Sequence, residues 1–268
     1  MRLTIFCCLL LILFSCQPNE KNQDSGLTYN SQEYLVASTL FTQQSAEYRA
    51  LCYQAYHLAE MRLLQLKDSL PERAAVVLDL DETVLDNSPY TAWQIQSGNP
   101  YSKATWAKWV ALGKAEAVPG AKQFLAFADS LGIELYYVSN RDTSGLKATM
   151  KNMANLGLPQ VEANHFFLKS TTSDKTERRQ QIADMGAHTV LFIGDNLGDF
   201  KHAFDDVSNE KRKATIDRLS HEVGTQFIAL PNALYGEWEG AVYSYDWGLS
   251  DQQRDSARKA NLVPTDID

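Results

Sequence analysis

Cysteine is scarce in this chain. Only four cysteines occur among 268 residues, and three of them, Cys7, Cys8 and Cys16, lie close to the N-terminus. The rest of the chain holds only Cys52, so an intramolecular disulfide framework is excluded there. Cys52 lies in an apolar pattern with helical spacing, which is typical of a small buried residue rather than a reactive thiol.

The chain also lacks an excess of positive charge and an internal repeat. Its formal net charge is −8, which argues against a general nucleic-acid-binding surface. An acidic protein can still bind an anionic substrate if positive charge is concentrated at the binding site. A length of 268 residues and an apolar content of 44% suit one globular α/β domain, with or without a modest cap.

The N-terminal apolar run is too short to span a bilayer comfortably. It extends from Ile5 to Phe14 after the basic Arg2, so residues 1–15 are interpreted as a signal peptide. The run ends in Leu-Phe-Ser-Cys, which resembles the lipobox of bacterial lipoproteins. That resemblance implies lipidation of Cys16 and anchoring in the cell envelope, with Gln17 favouring the outer membrane. The alternative is an ordinary secretory signal with a chance cysteine. Residues 16–27 are polar and predict a flexible tether.

The remainder alternates between predicted helices and strands. Residues 31–70 predict one or two helices, and Ser45 is placed to cap the second. The predicted strands then cover 74–80, 133–138, 165–168, 189–193 and 226–230, and the predicted helices cover 119–131, 143–156 and 173–185. This order indicates an α/β fold with a parallel sheet covered on both faces. Active sites of such folds lie beyond the carboxyl ends of the strands.

Pairs of carboxylates follow two of the predicted strands. Asp79 and Asp81 follow the first, and Asp195 and Asp199 follow the strand at 189–193. An EF-hand is excluded because Val84 stands where its loop needs glycine. Buried carboxylates are costly without compensation, so a functional pocket is one interpretation. Acidic turns without a catalytic role are the alternative for each pair.

Two further motifs are weak when taken alone. Ser139-Asn140-Arg141 follows the second strand, where a hydroxyl, an amide and backbone N–H groups could hold a phosphate. A helix cap explains the same residues. Lys175 lies near the start of the next predicted helix, where a lone lysine is usually a solvated surface charge. Lys169 is the alternative catalytic lysine.

The combination of these motifs is more specific than its parts. The chain resembles the haloacid-dehalogenase (HAD) superfamily of phosphatases, and within it the class C acid phosphatases, the lipoprotein e(P4) family of 5′-nucleotidases. The stretches VVLDLDETVLDNSPY and VLFIGDNLGDF carry the resemblance. It implies a HAD-like Rossmannoid sheet over 28–268, with a small, mainly helical cap from about 28–70 and 86–118.

The resemblance also implies roles for the acidic residues. Asp79 is expected to be the nucleophile, and Asp81 the general acid and base. Two charges about 4 Å apart repel by roughly 4 kcal/mol at an effective dielectric of 20, so a cation is needed. Hard oxygen ligands favour Mg²⁺. The expected ligands of Mg²⁺ are Asp79, Asp195 and the backbone carbonyl of Asp81. Asp199 is expected either to bind the ion through a water molecule or to contact the residues that bind it.

The remaining site residues are expected to contact the phosphate or the organic group. Lys175 would balance charge between nucleophile and phosphate, and Ser139 would bind a phosphate oxygen, with Asn140 as a helper. Trp106, Tyr235 and Trp238 resemble the positions where the family stacks nucleobase or nicotinamide rings. Packing is the simpler explanation for most aromatic residues here.

Three functions are consistent with the sequence. The first is an acid phosphatase that acts on phosphomonoesters such as 5′-nucleotides or nicotinamide mononucleotide. The second is a non-enzymatic surface lipoprotein that binds a ligand such as haem, although no distinctive haem motif occurs. The third is a phosphotransferase. The resemblance further implies a homodimer.

Overall fold

The computed structural model describes residues 30–267. The strands, numbered in chain order, are β1 Ala74–Leu78, β2 Leu85–Asp86, β3 Glu116–Ala117, β4 Glu134–Asp142, β5 Phe166–Lys169, β6 His188–Gly194 and β7 Phe227–Ala229. The α-helices are α1 Val36–Gln44, α2 Ala46–Leu66, α3 Ser88–Ser97, α4 Lys103–Leu112, α5 Ala121–Ser130, α6 Leu146–Asn155, α7 Thr176–Asp184, α8 Asn209–Arg218, α9 Glu237–Val242 and α10 Asp251–Ala260.

Five strands form a parallel sheet in the order β5-β4-β1-β6-β7. The first strand in the sequence is therefore the central one, paired with β4 on one edge and β6 on the other. β2 and β3 form a separate antiparallel pair. The predicted α/β class and its parallel sheet are confirmed.

Alternate residues of the central strand face opposite sides of the sheet, as the two-residue period of a strand requires. Val76 and Leu78 lie in the larger apolar cluster, which includes buried residues of α2 and α5. Ala75 and Val77 lie in a second cluster with Ile182 of α7. Both faces are covered, which explains why the strand reads as an unbroken apolar run.

Helix α2 packs on the sheet and contributes to the larger cluster through Tyr48, Cys52 and Tyr56, which are 3%, 0% and 1% exposed. Its N-terminus is capped as expected, because the Ser45 hydroxyl accepts the Tyr48 N–H at 3.0 Å. Burial raises the pKa of the Cys52 thiol to about 11, consistent with a packing role. The predicted cap boundaries, 28–70 and 86–118, stay a prediction.

The observed strand and helix boundaries differ from the predicted ones mainly at the carboxyl ends of the strands and in the segments that follow them. The first strand stops at Leu78 rather than residue 80, and β4 runs on past the predicted 138 to Asp142. The helix predicted over 143–156 opens with a 3₁₀ turn, Thr143–Gly145. The helix predicted over 173–185 begins only at Thr176. A tight turn follows Asp79, because the Leu80 carbonyl accepts the Val84 and Leu85 N–H groups at 2.9 and 2.8 Å.

The predicted signal peptide, the predicted lipidation site Cys16 and the predicted tether all lie outside the described residues. Within residues 30–267, no helix is both long and apolar enough to cross a membrane.

Candidate active site

The site lies at the carboxyl edge of the sheet, where β1, β4 and β6 end side by side. Asp79 directly follows β1, and its N–H donates to the Ile193 carbonyl of β6 at 2.9 Å. The nucleophile predicted from the sequence is therefore held by the sheet itself. Its side chain is only 8% exposed.

Three carboxylates meet beside this strand end. One oxygen from each of Asp79, Asp195 and Asp199 lies within 4.8 Å of the others. Lys175, which immediately precedes α7, places its ammonium between two of them. Its Nζ donates to Asp79 and lies 2.7 Å from an oxygen of Asp199. Lys175 is 6% exposed, so this is a buried ion pair rather than the solvated surface charge considered above.

The acidity of these groups reflects burial and mutual repulsion. Burial raises the pKa of Asp79 well above its usual value; Lys175 lowers it, and the neighbouring carboxylates Asp199, Asp195 and Asp81 raise it further. Burial and Asp199 raise the pKa of Asp195 to about 7. Burial opposes the charge on Lys175, but Asp199 and Asp79 outweigh it and raise its pKa. One lysine thus leaves the cluster with excess negative charge, which a bound cation would relieve.

Neighbouring polar groups fix the orientation of Asp195. Its two oxygens accept the Thr83 hydroxyl at 3.2 Å and the Asn232 amide at 2.7 Å. Thr83 is itself anchored, because its carbonyl accepts the Tyr56 hydroxyl at 2.6 Å. The Asn232 contact was not predicted, since nothing in the sequence distinguishes this asparagine from a loop residue.

The loop after β6 folds back on its own first residue. Asp199 accepts the Asn196 N–H at 3.0 Å, and Asn196 accepts the Gly198 N–H, which forms a capping box. A Cβ on Gly194 would lie 2.2 Å from Asp199 Oδ2. Glycine is required at this position because the carboxylate of Asp199 occupies the space beside the backbone.

Asp81 lies apart from the three-carboxylate cluster. Its Oδ1 accepts the Asn87 amide at 2.9 Å and faces Arg141, whose Nε and Nη2 lie at 2.9 and 2.8 Å. Its Oδ2 faces the Ser139 hydroxyl at 3.4 Å. Arg141 was part of a predicted motif but had no predicted role; Asn87 was not singled out at all.

Of the two predicted phosphate-binding residues, Ser139 is completely buried within β4, and its hydroxyl also accepts the Arg141 N–H at 3.1 Å. The side chain of Asn140 is exposed, and its carbonyl oxygen accepts Arg178 at 2.7 Å. Arg178 also donates to the Ser139 carbonyl at 2.6 Å, so it ties the end of β4 to α7. The side-chain oxygen of Asn140 is therefore engaged by Arg178.

The predicted aromatic residues differ in their surroundings: Trp106 packs against other side chains, whereas Tyr235 and Trp238 are exposed. Trp106 of α4 packs edge-to-face on Tyr90, with ring centroids 5.2 Å apart, and its ring lies 5.8 Å from the Arg141 guanidinium. Tyr235 exposes 40% of its surface while its hydroxyl donates to the buried Glu82. Trp238 is 41% exposed and lies against Gly236.

The alternative lysine is not at the site. Lys169 ends β5, the edge strand, where it lies opposite Asp142 in the register with β4. Its side chain is half-buried. Lys175, rather than Lys169, contacts Asp79.

Comparison with known proteins decides the family. A family model for subfamily IIIB of the HAD superfamily, described as acid phosphatase, matches residues 15–238. The chain belongs to this HAD acid phosphatase family. A structure of the class C acid phosphatase from Bacillus anthracis matches it with a TM-score of 0.85 and 38% sequence identity, covering 89% of this chain and 100% of that one. A second structure of that phosphatase, with tungstate bound, matches equally well.

Curated relatives of this family member are more distant. Acid phosphatase 1 of Solanum lycopersicum is 25% identical over 128 residues, which cover 46% of this chain and 50% of that protein. The stem 28 kDa glycoprotein of Glycine max is 26% identical over 165 residues, which cover 59% and 62%. The chain thus spans about half to three fifths of the length of these relatives. The predicted resemblance to class C acid phosphatases is confirmed.

Proposed function

We propose that this protein is a metal-dependent phosphomonoesterase that forms an aspartyl-phosphate on Asp79. The observation that carries the proposal is the position of the Asp79 carboxylate. It lies at the end of the central strand, in contact with the buried ammonium of Lys175 and within 4.8 Å of Asp195 and Asp199. Membership in the acid phosphatase family supports the reaction class.

The residues present suit a divalent cation. Three buried or half-buried carboxylates offer hard oxygen ligands at mutual distances below 4.8 Å. The pKa of Asp195, raised to about 7 mainly by burial and Asp199, shows how strongly these groups resist sharing the pocket as anions. Asp79 and Asp195 would hold the ion directly, with Asp199 nearby and the carbonyl of Asp81 as a further ligand. When bound, Mg²⁺ would neutralise negative charge on the phosphoryl group.

In the first step, a carboxylate oxygen of Asp79 attacks phosphorus, and the bond from phosphorus to the ester oxygen breaks. Asp81 gives its proton to the departing ester oxygen, so the product leaves as an alcohol. Lys175 donates to Asp79 and balances the charge that gathers between carboxylate and phosphoryl group. Ser139, which is buried within β4, would donate its hydroxyl to a phosphoryl oxygen.

In the second step, water replaces the alcohol. The Asp81 carboxylate takes a proton from the water as it attacks phosphorus, and the acyl-phosphate bond to Asp79 breaks. Inorganic phosphate leaves and Asp81 is protonated again. A purely ligand-binding protein would have no need to bury Lys175 against two carboxylates, which favours the enzyme over the haem-binding alternative.

The substrate is proposed to be a small phosphomonoester with a flat organic group, such as a 5′-nucleotide or nicotinamide mononucleotide. Trp106 and Tyr235 offer aromatic surface, and the net charge of −8 disfavours a polymeric nucleic acid. Since the relative from Bacillus anthracis has been crystallised with tungstate, a tetrahedral oxyanion, a phosphate site is supported here as well.

The location is proposed from the sequence alone. Lipidation of Cys16 would attach the enzyme to the bacterial cell envelope, with the outer membrane favoured by Gln17. A homodimer is likewise proposed only from the family resemblance. Metabolic labelling with a fatty-acid analogue, compared between the natural chain and Cys16→Ala, tests the anchor; equal labelling would refute it.

The decisive test of function is phosphate release from 4-nitrophenyl phosphate and from a nucleoside 5′-monophosphate. We expect turnover that chelation stops and Mg²⁺ restores. Asp79→Asn should lower kcat to background while the protein remains folded, because the amide cannot attack phosphorus. Asp174→Asn, which changes a nearby carboxylate outside the cluster, serves as the matched control. Full activity of Asp79→Asn would refute the mechanism.

A further inference from the structure

The contacts of Asp81 distinguish its two carboxylate oxygens. Three nitrogens surround Oδ1: Nε of Arg141 and the Asn87 amide each donate to it at 2.9 Å, and Nη2 of Arg141 lies 2.8 Å from it as an ion pair. A carboxylate oxygen offers about two lone pairs. Oδ1 is therefore fully occupied by donors and has no room for a proton. Within residues 30–267, Oδ2 accepts a hydrogen bond only from the Ser139 hydroxyl, at 3.4 Å.

The group that holds Oδ1 is itself fixed. The Arg141 side chain is 2% exposed, against 15% for Asp81. Its Nη1 donates to the Thr149 hydroxyl at 3.0 Å, and its Nη2 lies 3.3 Å from the Asn87 carbonyl oxygen. Every nitrogen of the guanidinium thus has a partner. An arginine buried in this way sets the direction of the carboxylate that it binds.

The same network extends into α4. Trp109 Nε1 donates to the Asn87 carbonyl oxygen at 2.8 Å. One turn earlier, the Trp106 ring lies 5.8 Å from the Arg141 guanidinium carbon, within the range of a cation–π contact. Two tryptophans of one helix therefore contact the two residues that orient Asp81.

We propose that Arg141 and Asn87 are positioning residues that make Oδ2 of Asp81 the proton-donating atom, and that α4 sets their geometry. This inference rests on the proposed function of Asp81 as general acid. In the transfer, the O–H bond at Oδ2 breaks, the proton joins the departing ester oxygen, and the electron pair stays on Asp81. Arg141 then stabilises the carboxylate that results.

The proposal predicts a dependence on the leaving group. Departure of 4-nitrophenolate needs little help from an acid, since the anion is stable, whereas a nucleoside or glycerol alkoxide must be protonated. Positioned general acids contribute about 10²- to 10⁴-fold. We therefore expect Arg141→Met to lower kcat/KM for glycerol phosphate and a nucleoside monophosphate by about 100-fold or more, and for 4-nitrophenyl phosphate by less than about tenfold.

The measured quantity is the ratio of kcat/KM for the two ester classes within one protein sample. The fraction of folded enzyme cancels in this ratio, and kcat/KM reports steps up to transfer onto Asp79. Arg141→Lys keeps a charge but not the paired N–H donors, so it should also shift the ratio. Asn87→Leu removes the third donor and provides a second route if the arginine variants fold poorly. Asp81→Asn should shift the ratio as far as Arg141→Met, and the double variant should go no further.

Arg73→Met is the matched control, because Arg73 pairs with Glu134 outside the Asp81 network. Its ratio should equal that of the natural chain. Equal losses on both ester classes in the Arg141 and Asn87 variants would overturn the positioning role and leave a structural one. If the natural chain hydrolysed neither ester class with Mg²⁺ present, the proposed function itself would fail, which is a different outcome.

Discussion

Replacing Lys175 with methionine tests whether this lysine holds the acidic cluster together. Methionine has a similar length and suits a buried position, but it carries no charge. In the natural chain, the Lys175 ammonium lies 2.7 Å from an Asp199 oxygen and also contacts Asp79. The change therefore leaves three carboxylates together without the ammonium that contacts two of them.

The expected loss of stability is substantial. The Coulomb attraction at 2.7 Å is roughly 6 kcal/mol at an effective dielectric of 20. Desolvation of the ammonium offsets part of it, and breaking a buried pair costs about 3–5 kcal/mol in total. For a domain of this size, 1 kcal/mol shifts Tm by about 2–4 °C, so the metal-free variant should melt about 6–20 °C lower.

The loss should also grow with pH. Lys175 lowers the pKa of both Asp79 and Asp195, so its removal raises these folded-state values further above those of the unfolded chain. The folded variant then holds protons that the unfolded chain releases. Its deficit is small below about pH 3, where both states are protonated. It increases as pH rises from about 4 through 7, because the unfolded chain releases these protons first.

Thermal unfolding followed by circular dichroism, in chelator at pH 5 and pH 8, measures both effects. Added Mg²⁺ should recover part of the lost Tm by neutralising the carboxylates. Lys169→Met is the control, because Lys169 lies on the edge strand away from the cluster. A deficit below about 2 °C at pH 8, or one equal to that of the control, would refute the argument.

Three further outcomes are expected. Gly194→Ala should weaken Mg²⁺ binding at least tenfold by calorimetry, since its Cβ would lie 2.2 Å from Asp199 Oδ2. Tyr56→Phe should lower the free energy of unfolding in urea by about 1–3 kcal/mol, because the buried Thr83 carbonyl loses its donor. Mg²⁺ affinity should fall as pH drops below about 7, where Asp195 takes up a proton; an affinity independent of pH between 5 and 8 would contradict this.

The parts of the site that the sequence predicts are those attached directly to strands. Asp79 and Asp195 each follow an unbroken apolar run, and such runs identify buried parallel strands whose ends meet at one edge. The five-stranded sheet was predictable for the same reason, within one residue at most strand boundaries. The largest difference is at the end of β4, which stops at Asp142 rather than at the predicted residue 138.

The parts that the sequence does not predict depend on contacts between distant segments. Arg141 follows a predicted strand and resembles a loop residue, and its burial depends on Asn87 and on α4, which no local pattern connects to it. The C-terminal helices were missed because they are short or strongly polar. Helix α10, for example, contains seven charged or amide side chains among its ten residues.

The central position of β1 in the sheet determines how much of the chain must be synthesised before the active site can form. Its neighbours in the sheet begin at Glu134 and His188, long after β1 has been synthesised. Until both have been made, Asp79 has no backbone partner and no ammonium beside it. Contacts of such long sequence separation are slow to form, because the entropy of closing the intervening loop must be lost first. A chain that ends before Lys175 should therefore lack phosphatase activity.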